Sequence, residues 1–322
     1  MGYGYWERLS SLLRKQGRHG LRALVAAGAA ALLTVAIAGC SQDQQTAADG
    51  QGTATVVAST DVWGSVASAV AGDHAMVKSI VTGTVADPHS FEASPADAAE
   101  ISDASPVVLN GGHYDHWVAE VLTSNPDVPT VDAYSLLAPS QEPANEHVFY
   151  DLGTVKEVAR NIAVKLGETD SAHAADYTTN AELFGEQLDT IAASQRAVGQ
   201  SHPGASVVST EPVAFYALRN AGIVDKTPAS FANAVEEGDD PSPADVATML
   251  DLISARQVSA IVVNSQTETP ATKQISDAAR GAGLPVISVT ETLPEGKDFL
   301  AWQRDTVDEI AAQLDSAPAT SR

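Results

Sequence analysis

The chain has 322 residues, 44% of them apolar, and is strongly acidic: 41 Asp and Glu against 18 Lys and Arg give a formal net charge of −23. That apolar share supports a packed core and excludes wholesale disorder. The acidity argues against a nucleic-acid partner, since like charge repels a phosphate backbone, and leaves cation binding open.

At the N-terminus Arg8, Arg14, Lys15, Arg18 and Arg22 precede an apolar run from Ala23 to Ala38. The run is short for a bilayer span and suits a signal peptide. The single cysteine, Cys40, excludes a disulfide framework and a cysteine-built zinc site. Ile37-Ala38-Gly39-Cys40 resembles a bacterial lipobox, which implies cleavage before Cys40 and lipidation of it; an uncleaved anchor with an incidental cysteine is the alternative. Either way the bulk of the chain is expected outside the cytoplasm, held at the membrane. Residues 1–39 thus read as a lipoprotein signal peptide, and residues 40–53, rich in Gln, Ala, Gly and Thr, as a flexible tether.

Residues 55–59 then read as a buried strand, 62–71 as a helix with Trp63, Val66 and Val70 on one face, and 77–81 as a second strand. Ser94-Pro95-Ala96-Asp97 is a helix start: a capping serine, proline at the first position and an acid in the first turn. A strand at 106–110, a helix opened by Gly111-Gly112 and a short strand at 130–132 follow, then a Pro-rich loop, 138–146. Alternation of strands and helices predicts parallel βαβ units. Residues 154–201 contain no strand and are helical in pattern, with a break near Gly167. Within them Tyr177, Ala181, Phe184, Leu188 and Ile191 form one apolar stripe, which predicts a single helix over about 171–198, long enough to act as a spine. Alternation then resumes: a strand at 205–210, a helix at 212–221, a second Ser-Pro-Ala-Asp start at 242–245, a strand at 260–264, a helix near 270–281, a strand at 285–290 and a helix over 297–314. Both halves carry Ser-Pro-Ala-Asp, helix, apolar strand and Asn. The predicted fold is α/β: two similar lobes, 54–153 and 202–318, each a mainly parallel sheet flanked by helices, joined by the helical segment 154–201.

In open α/β sheets ligands bind beyond the carboxyl ends of the strands. The first lobe places there His89, the segment from Asn110 to His113, and His147; the second places Glu211, Asn264 and Glu291. Two imidazoles and two carboxylates meeting across a cleft would form a nitrogen–oxygen site suited to Zn2+ or Mn2+. Pro88 favours an extended or turned backbone just before His89, with Asp87 and Glu92 nearby.

Several segments together resemble the metal-binding receptor lipoproteins of zinc and manganese ABC importers. Asp87-Pro88-His89-Ser90-Phe91-Glu92 is similar to their Asp-Pro-His-x-aromatic-Glu motif. Asn110-Gly111 with Asp115-His116-Trp117, and Asn145 through Asp151, match two further segments. Asp170, Tyr177 and Asn180-Ala181 match the start of the family's long helix, and Ser209-Thr210-Glu211-Pro212 with Tyr216 and Gly222 a third-ligand segment. The resemblance covers about residues 54–316. It implies His89 and His147 as ligands, Glu211 as a third and Glu291 as a fourth, with Asp87, Asn110, Asp115 and Asn264 as supporting residues. Glu211 has a competing reading as the cap of the helix after it, and Asp240, Asn264 and Glu268 compete with Glu291. Glu146 stands where the family often has Pro, and Ala93 where Pro often follows Phe-Glu.

The resemblance implies capture of Mn2+ or Zn2+ between the lobes and delivery to an ABC permease and its ATPase, by a monomer lipid-anchored on the extracytoplasmic face. Two imidazoles with two carboxylates lean toward manganese, and loop 125–146 has no His-rich tract; the Irving–Williams order pulls toward zinc. Small movements of lobes or loops, 232–242 among them, are expected to release the ion. A surface adhesin or metal-storage lipoprotein is a second reading. A zinc hydrolase is a third, opposed by four protein ligands that leave zinc no open position and by the lack of His-Glu-x-x-His and Gly-x-Ser-x-Gly.

Overall fold

In the first lobe, Val56, Val57 and Ala58 are buried on both faces of β1 (Thr55–Thr60), as a parallel strand covered by helices requires. The computed structural model describes residues 54–84, 88–141 and 144–318. Residues 1–39 and 40–53, expected as signal peptide and tether, and with them Cys40, lie outside these residues, as does Asp87. After β1 come α1 (Asp61–Ala71), β2 (Met76–Val81), α2 (Pro95–Ser102), β3 (Val107–Leu109), α3 (His116–Thr123) and β4 (Thr130–Asp132). The strands are parallel in the order β2-β1-β3-β4, with Thr55 opposite Met76, Val57 opposite Val107 and Val108 opposite Val131. The Ser-Pro-Ala-Asp start of α2 is a reciprocal cap: Asp97 N donates to Ser94 Oγ at 3.2 Å, and Ser94 N donates to Asp97 Oδ2 at 2.9 Å.

The helix expected to open at Gly111 begins at His116 instead. Gly111 and Gly112 have φ of 74° and 64°, which only glycine adopts readily, so they form a turn. A Cβ on Gly111 would lie 2.1 Å from Asp132 Oδ1, so the close approach of β4 also demands glycine there.

A short 3-10 turn, Val148–Tyr150, leads into α4 (Leu152–Thr169) and α5 (Ala174–Ser201). The break predicted near Gly167 falls at 170–173. There Asp170 Oδ2 accepts from His173 Nδ1 at 2.6 Å and from the Tyr177 hydroxyl at 2.9 Å, which fixes the corner. Gly167 stays helical, where the close packing of Ala174 favours a residue without Cβ. The 28-residue α5 is the expected spine, and Tyr177, Ala181, Phe184, Leu188 and Ile191 are all buried.

The second lobe comprises β5 (Ser206–Ser209), α6 (Phe215–Ala221), β6 (Val224–Asp225), α7 (Ala229–Glu236), α8 (Pro243–Ser254), β7 (Ala260–Asn264), α9 (Pro270–Gly281), β8 (Val286–Val289) and α10 (Phe299–Asp315). Its parallel order, β6-β5-β7-β8, repeats the winding of the first sheet. β6 and α7 were not expected. β6 is two residues long, and α7 overlaps residues taken for a loop because it buries only Phe231 and Val235.

One apolar cluster joins the inner faces of both sheets through the spine, with Val56 and Val108 from the first, Leu188 and Ile191 from α5, and Val207, Val262 and Ile287 from the second. Separate clusters cover the outer faces, around Ile101 and Trp117 in one lobe and Met249 and Ile275 in the other. Both rows of strand carboxyl ends are thereby fixed relative to one another. No helix among the described residues is long and apolar enough to cross a membrane.

Candidate metal site

His147 is held from several directions. Its Nδ1 lies 3.0 Å from Asn145 Oδ1, an acceptor only, so Nδ1 carries a proton and Nε2 is left to face the carboxylates opposite. His147 N also donates to Asn145 Oδ1 at 2.9 Å. Asn145 is clamped in turn by Tyr216 of the second lobe: Asn145 N donates to the Tyr216 hydroxyl at 2.8 Å, and that hydroxyl donates to Asn145 O at 2.7 Å. Asn110 Nδ2 donates to Glu146 O at 2.8 Å, and buried Asp115 accepts from Asn110 N at 2.6 Å and Gly111 N at 2.9 Å. Asn110 and Asp115 thus hold the turn that presents His147. Burial pushes the Asp115 carboxyl up to about 6.

The second lobe supplies carboxylates. Asn264 Nδ2, at the end of β7, donates to Glu291 Oε1 at 2.6 Å and to Glu211 Oε2 at 2.5 Å, so one amide draws the two acids together. Glu211 Oε1 also accepts from the Thr267 hydroxyl. Because α6 starts at Phe215, Glu211 does not cap it. Glu291 N donates to Gln266 Oε1 at 2.5 Å. Of the three competitors of Glu291, Asp240 and Glu268 are exposed, and Asn264 donates to Glu291 instead of replacing it.

His89, His147 and Glu291 converge, their donor atoms all within 4.8 Å of one another. Glu291 Oε2 is 3.3 Å from His89 Nε2 and 3.4 Å from His147 Nε2. Neither His147 Nε2 nor Glu291 Oε2, both buried, has a hydrogen-bond partner among the described residues. Buried polar atoms are rarely left so, because an unmade bond costs about 1–3 kcal/mol. Their spacing matches the edge of a metal polyhedron: ligands about 2.0–2.1 Å from a tetrahedral ion stand about 3.3–3.4 Å apart. Tyr114 and Phe149 pack against the imidazole of His147 with ring centroids 5.9 and 5.7 Å away. Glu211, expected as a ligand, is not among the donors that converge within 4.8 Å, both its oxygens being held by Asn264 and Thr267, but it lines the same cavity of about 330 Å³ as His89 and Glu291.

Burial works against a charged imidazole at His147, but the carboxylates of Glu236 and Glu291 outweigh it and push its pKa up to about 9. His89 shifts upward too, since Glu291 outweighs its burial. Burial favours neutral Glu291, yet the two imidazoles hold it well below the usual carboxylate range.

Glu236 was missed by sequence reasoning. It ends α7, its Oε1 lies 3.5 Å from His147 Nε2, and burial pushes its pKa up to about 7. The available signal was the four-residue spacing of Phe231 and Val235, which places a helix one residue before it. His113 and His116 are exposed and take no part.

Two like-wound parallel sheets whose strand ends meet around a buried nitrogen–oxygen donor set define a class of two-lobed α/β proteins with a metal-type cleft. Within that class the chain belongs to the family described as ZnuA, zinc-uptake complex component A periplasmic, whose pattern matches residues 56–313. The metal ABC transporter substrate-binding lipoprotein ScbA of Streptococcus cristatus is 23% identical over 88% of this chain and 96% of its own length. The manganese-binding lipoprotein MntA of Halalkalibacterium halodurans is 25% identical over 73% of this chain and 78% of its own. The fold matches that of the periplasmic zinc-binding protein TroA of Treponema pallidum with a TM-score of 0.70, at 20% identity, over 82% of this chain and 99% of that one.

Proposed function

We propose that the chain is an extracytoplasmic receptor that captures a divalent transition-metal ion, Mn2+ or Zn2+, between its lobes and delivers it to an ABC permease and its ATPase. The observation that carries this is the convergence of His89, His147 and Glu291, with unpartnered buried donor atoms at polyhedron spacing. In this reading those three are ligands, Glu211 completes the set from the cavity wall, and Asn264 holds the two carboxylates in register. Asn145, Asn110 and Asp115 fix the ring of His147. Full protein ligation suits capture and transfer, where an enzyme would keep a coordination position open for substrate. Lipidation at Cys40 would hold the receptor, as a monomer, beside its permease.

Membership of the zinc-uptake family and the manganese-binding relative both fit this donor set. Its oxygen share favours Mn2+, whereas intrinsic affinity favours Zn2+. Calorimetry of the metal-free chain with each ion tests the reading. Replacement His89→Ala is expected to weaken binding by about a hundredfold or more, because one imidazole leaves the set. Unchanged affinity in that variant would refute the assignment.

A further inference from the structure

We propose that His89, Glu146 and Glu236 form a second, outer metal station, which shares His89 with the inner set and passes the incoming ion to it. This inference rests on the capture reading above.

The donor atoms of His89, Glu146 and Glu236 all lie within 4.8 Å of one another. All three residues are half-buried, whereas His147 and Glu291 are buried, so the outer set lies nearer to solvent. Glu146 immediately precedes His147, and its Oε2 accepts from His113 N at 3.3 Å. Glu236 links the two sets: its buried Oε1 has no hydrogen-bond partner and stands 3.5 Å from the unpartnered Nε2 of fully buried His147. It also lines two cavities, one of about 230 Å³ with Glu146, the other of about 330 Å³ with His89, Glu211 and Glu291.

A hydrated divalent cation must exchange its water ligands for protein donors. With His89 in both sets, an ion can keep one imidazole while it gives up the carboxylates of Glu146 and Glu236 for His147 and Glu291. Ionised carboxylate there also draws the cation to the cleft mouth. Because the stations share His89, they act in sequence on one ion.

The test is stopped-flow association of Mn2+ with the full chain, followed by competition with a fluorescent chelator, and equilibrium titration of the same proteins. The double variant Glu146→Gln/Glu236→Gln keeps side-chain size. Asp239→Asn/Asp240→Asn removes two carboxylates from exposed positions outside the station and controls for general steering. The station predicts association about tenfold slower in the double variant and within about twofold of wild type in the control, with equilibrium affinity no more than about threefold weaker than wild type in either. Either single variant slows association in the same direction and serves where the double variant does not fold. Association no slower than in the control overturns the station, and so does a loss of about a hundredfold or more in equilibrium affinity, which would make these residues permanent ligands. Wild-type protein that takes up no ion overturns the capture reading and the station together; wild-type binding with unaltered variant kinetics overturns the station alone.

Discussion

In the proposed site His147 would answer to protons and metal at the same atom. With its pKa pushed up to about 9, its charge stabilises the metal-free protein fully below the ordinary value of 6.5, and that contribution is lost as pH rises through about 9. Glu291, held below its ordinary 4.5, contributes in the opposite sense: fully above that value, and progressively less as pH falls beneath it. From this pair, the melting temperature of the metal-free chain should be highest at about pH 5–6 and fall toward pH 9 in scanning calorimetry. In the proposed site metal binding displaces the proton from His147 Nε2, so affinity should rise by at least about tenfold per pH unit as pH climbs toward about 9, with at least one proton released per ion and more where His89 is also protonated. Titrations in buffers of different ionisation enthalpy read that proton directly; pH-independent binding would remove His147 from the site. His89, His147 and Glu291 were legible in the sequence because each follows a strand end or sits in a segment of its own that resembles the family. Glu236 was not, because its place depends on where α7 ends in space, and a helix with two buried apolar residues gives little periodicity to read.

At the scale of elements, the loop that presents His147 belongs to one lobe and is clamped by a residue of the other. Tyr216 on α6 makes both main-chain bonds to Asn145. Replacement Tyr216→Phe removes both while keeping the ring, and should weaken metal affinity by about tenfold with little change in the fold. Calorimetry measures the first and circular dichroism the second. An affinity equal to that of wild type would mean that Asn110 and Asp115 suffice to hold the turn. The long elements were the legible ones: the stripe from Tyr177 to Ile191 predicted α5 to within a few residues, since a sustained 3.6-residue period admits few alternatives. Errors fell where local chemistry overrode periodicity. The corner at Asp170 depends on hydrogen bonds to side chains up to seven residues away, and the late start of α3 depends on Asp132 crowding Gly111.

For the whole molecule, the repeat of Ser-Pro-Ala-Asp, helix, strand and Asn correctly foreshadowed two sheets of the same strand order. What it could not convey is how firmly they are joined. The inner core runs through α5 into both sheets, and the segment after β8 is tied to the first lobe. Thr290 O accepts from the Tyr150 hydroxyl at 2.9 Å, the Thr292 hydroxyl donates to Gly83 O at 3.0 Å, and Leu293 N donates to Asp61 Oδ1 at 3.0 Å. Glu291, the carboxylate of the inner set, sits within that fastened segment, so wide separation of the lobes would tear it from both imidazoles. Small-angle scattering should therefore show a radius of gyration that changes by less than about 1 Å on metal loading, with adjustment confined to side chains and the end of α7. A larger change would require a hinge that this core does not provide. The most direct measurement is anomalous scattering at the manganese or zinc edge from crystals of the metal-loaded chain. The predicted result is one strong peak about 2.0–2.3 Å from His89 Nε2, His147 Nε2 and Glu291 Oε2. A loaded crystal whose peak lies elsewhere, with these three side chains free of metal, would contradict it.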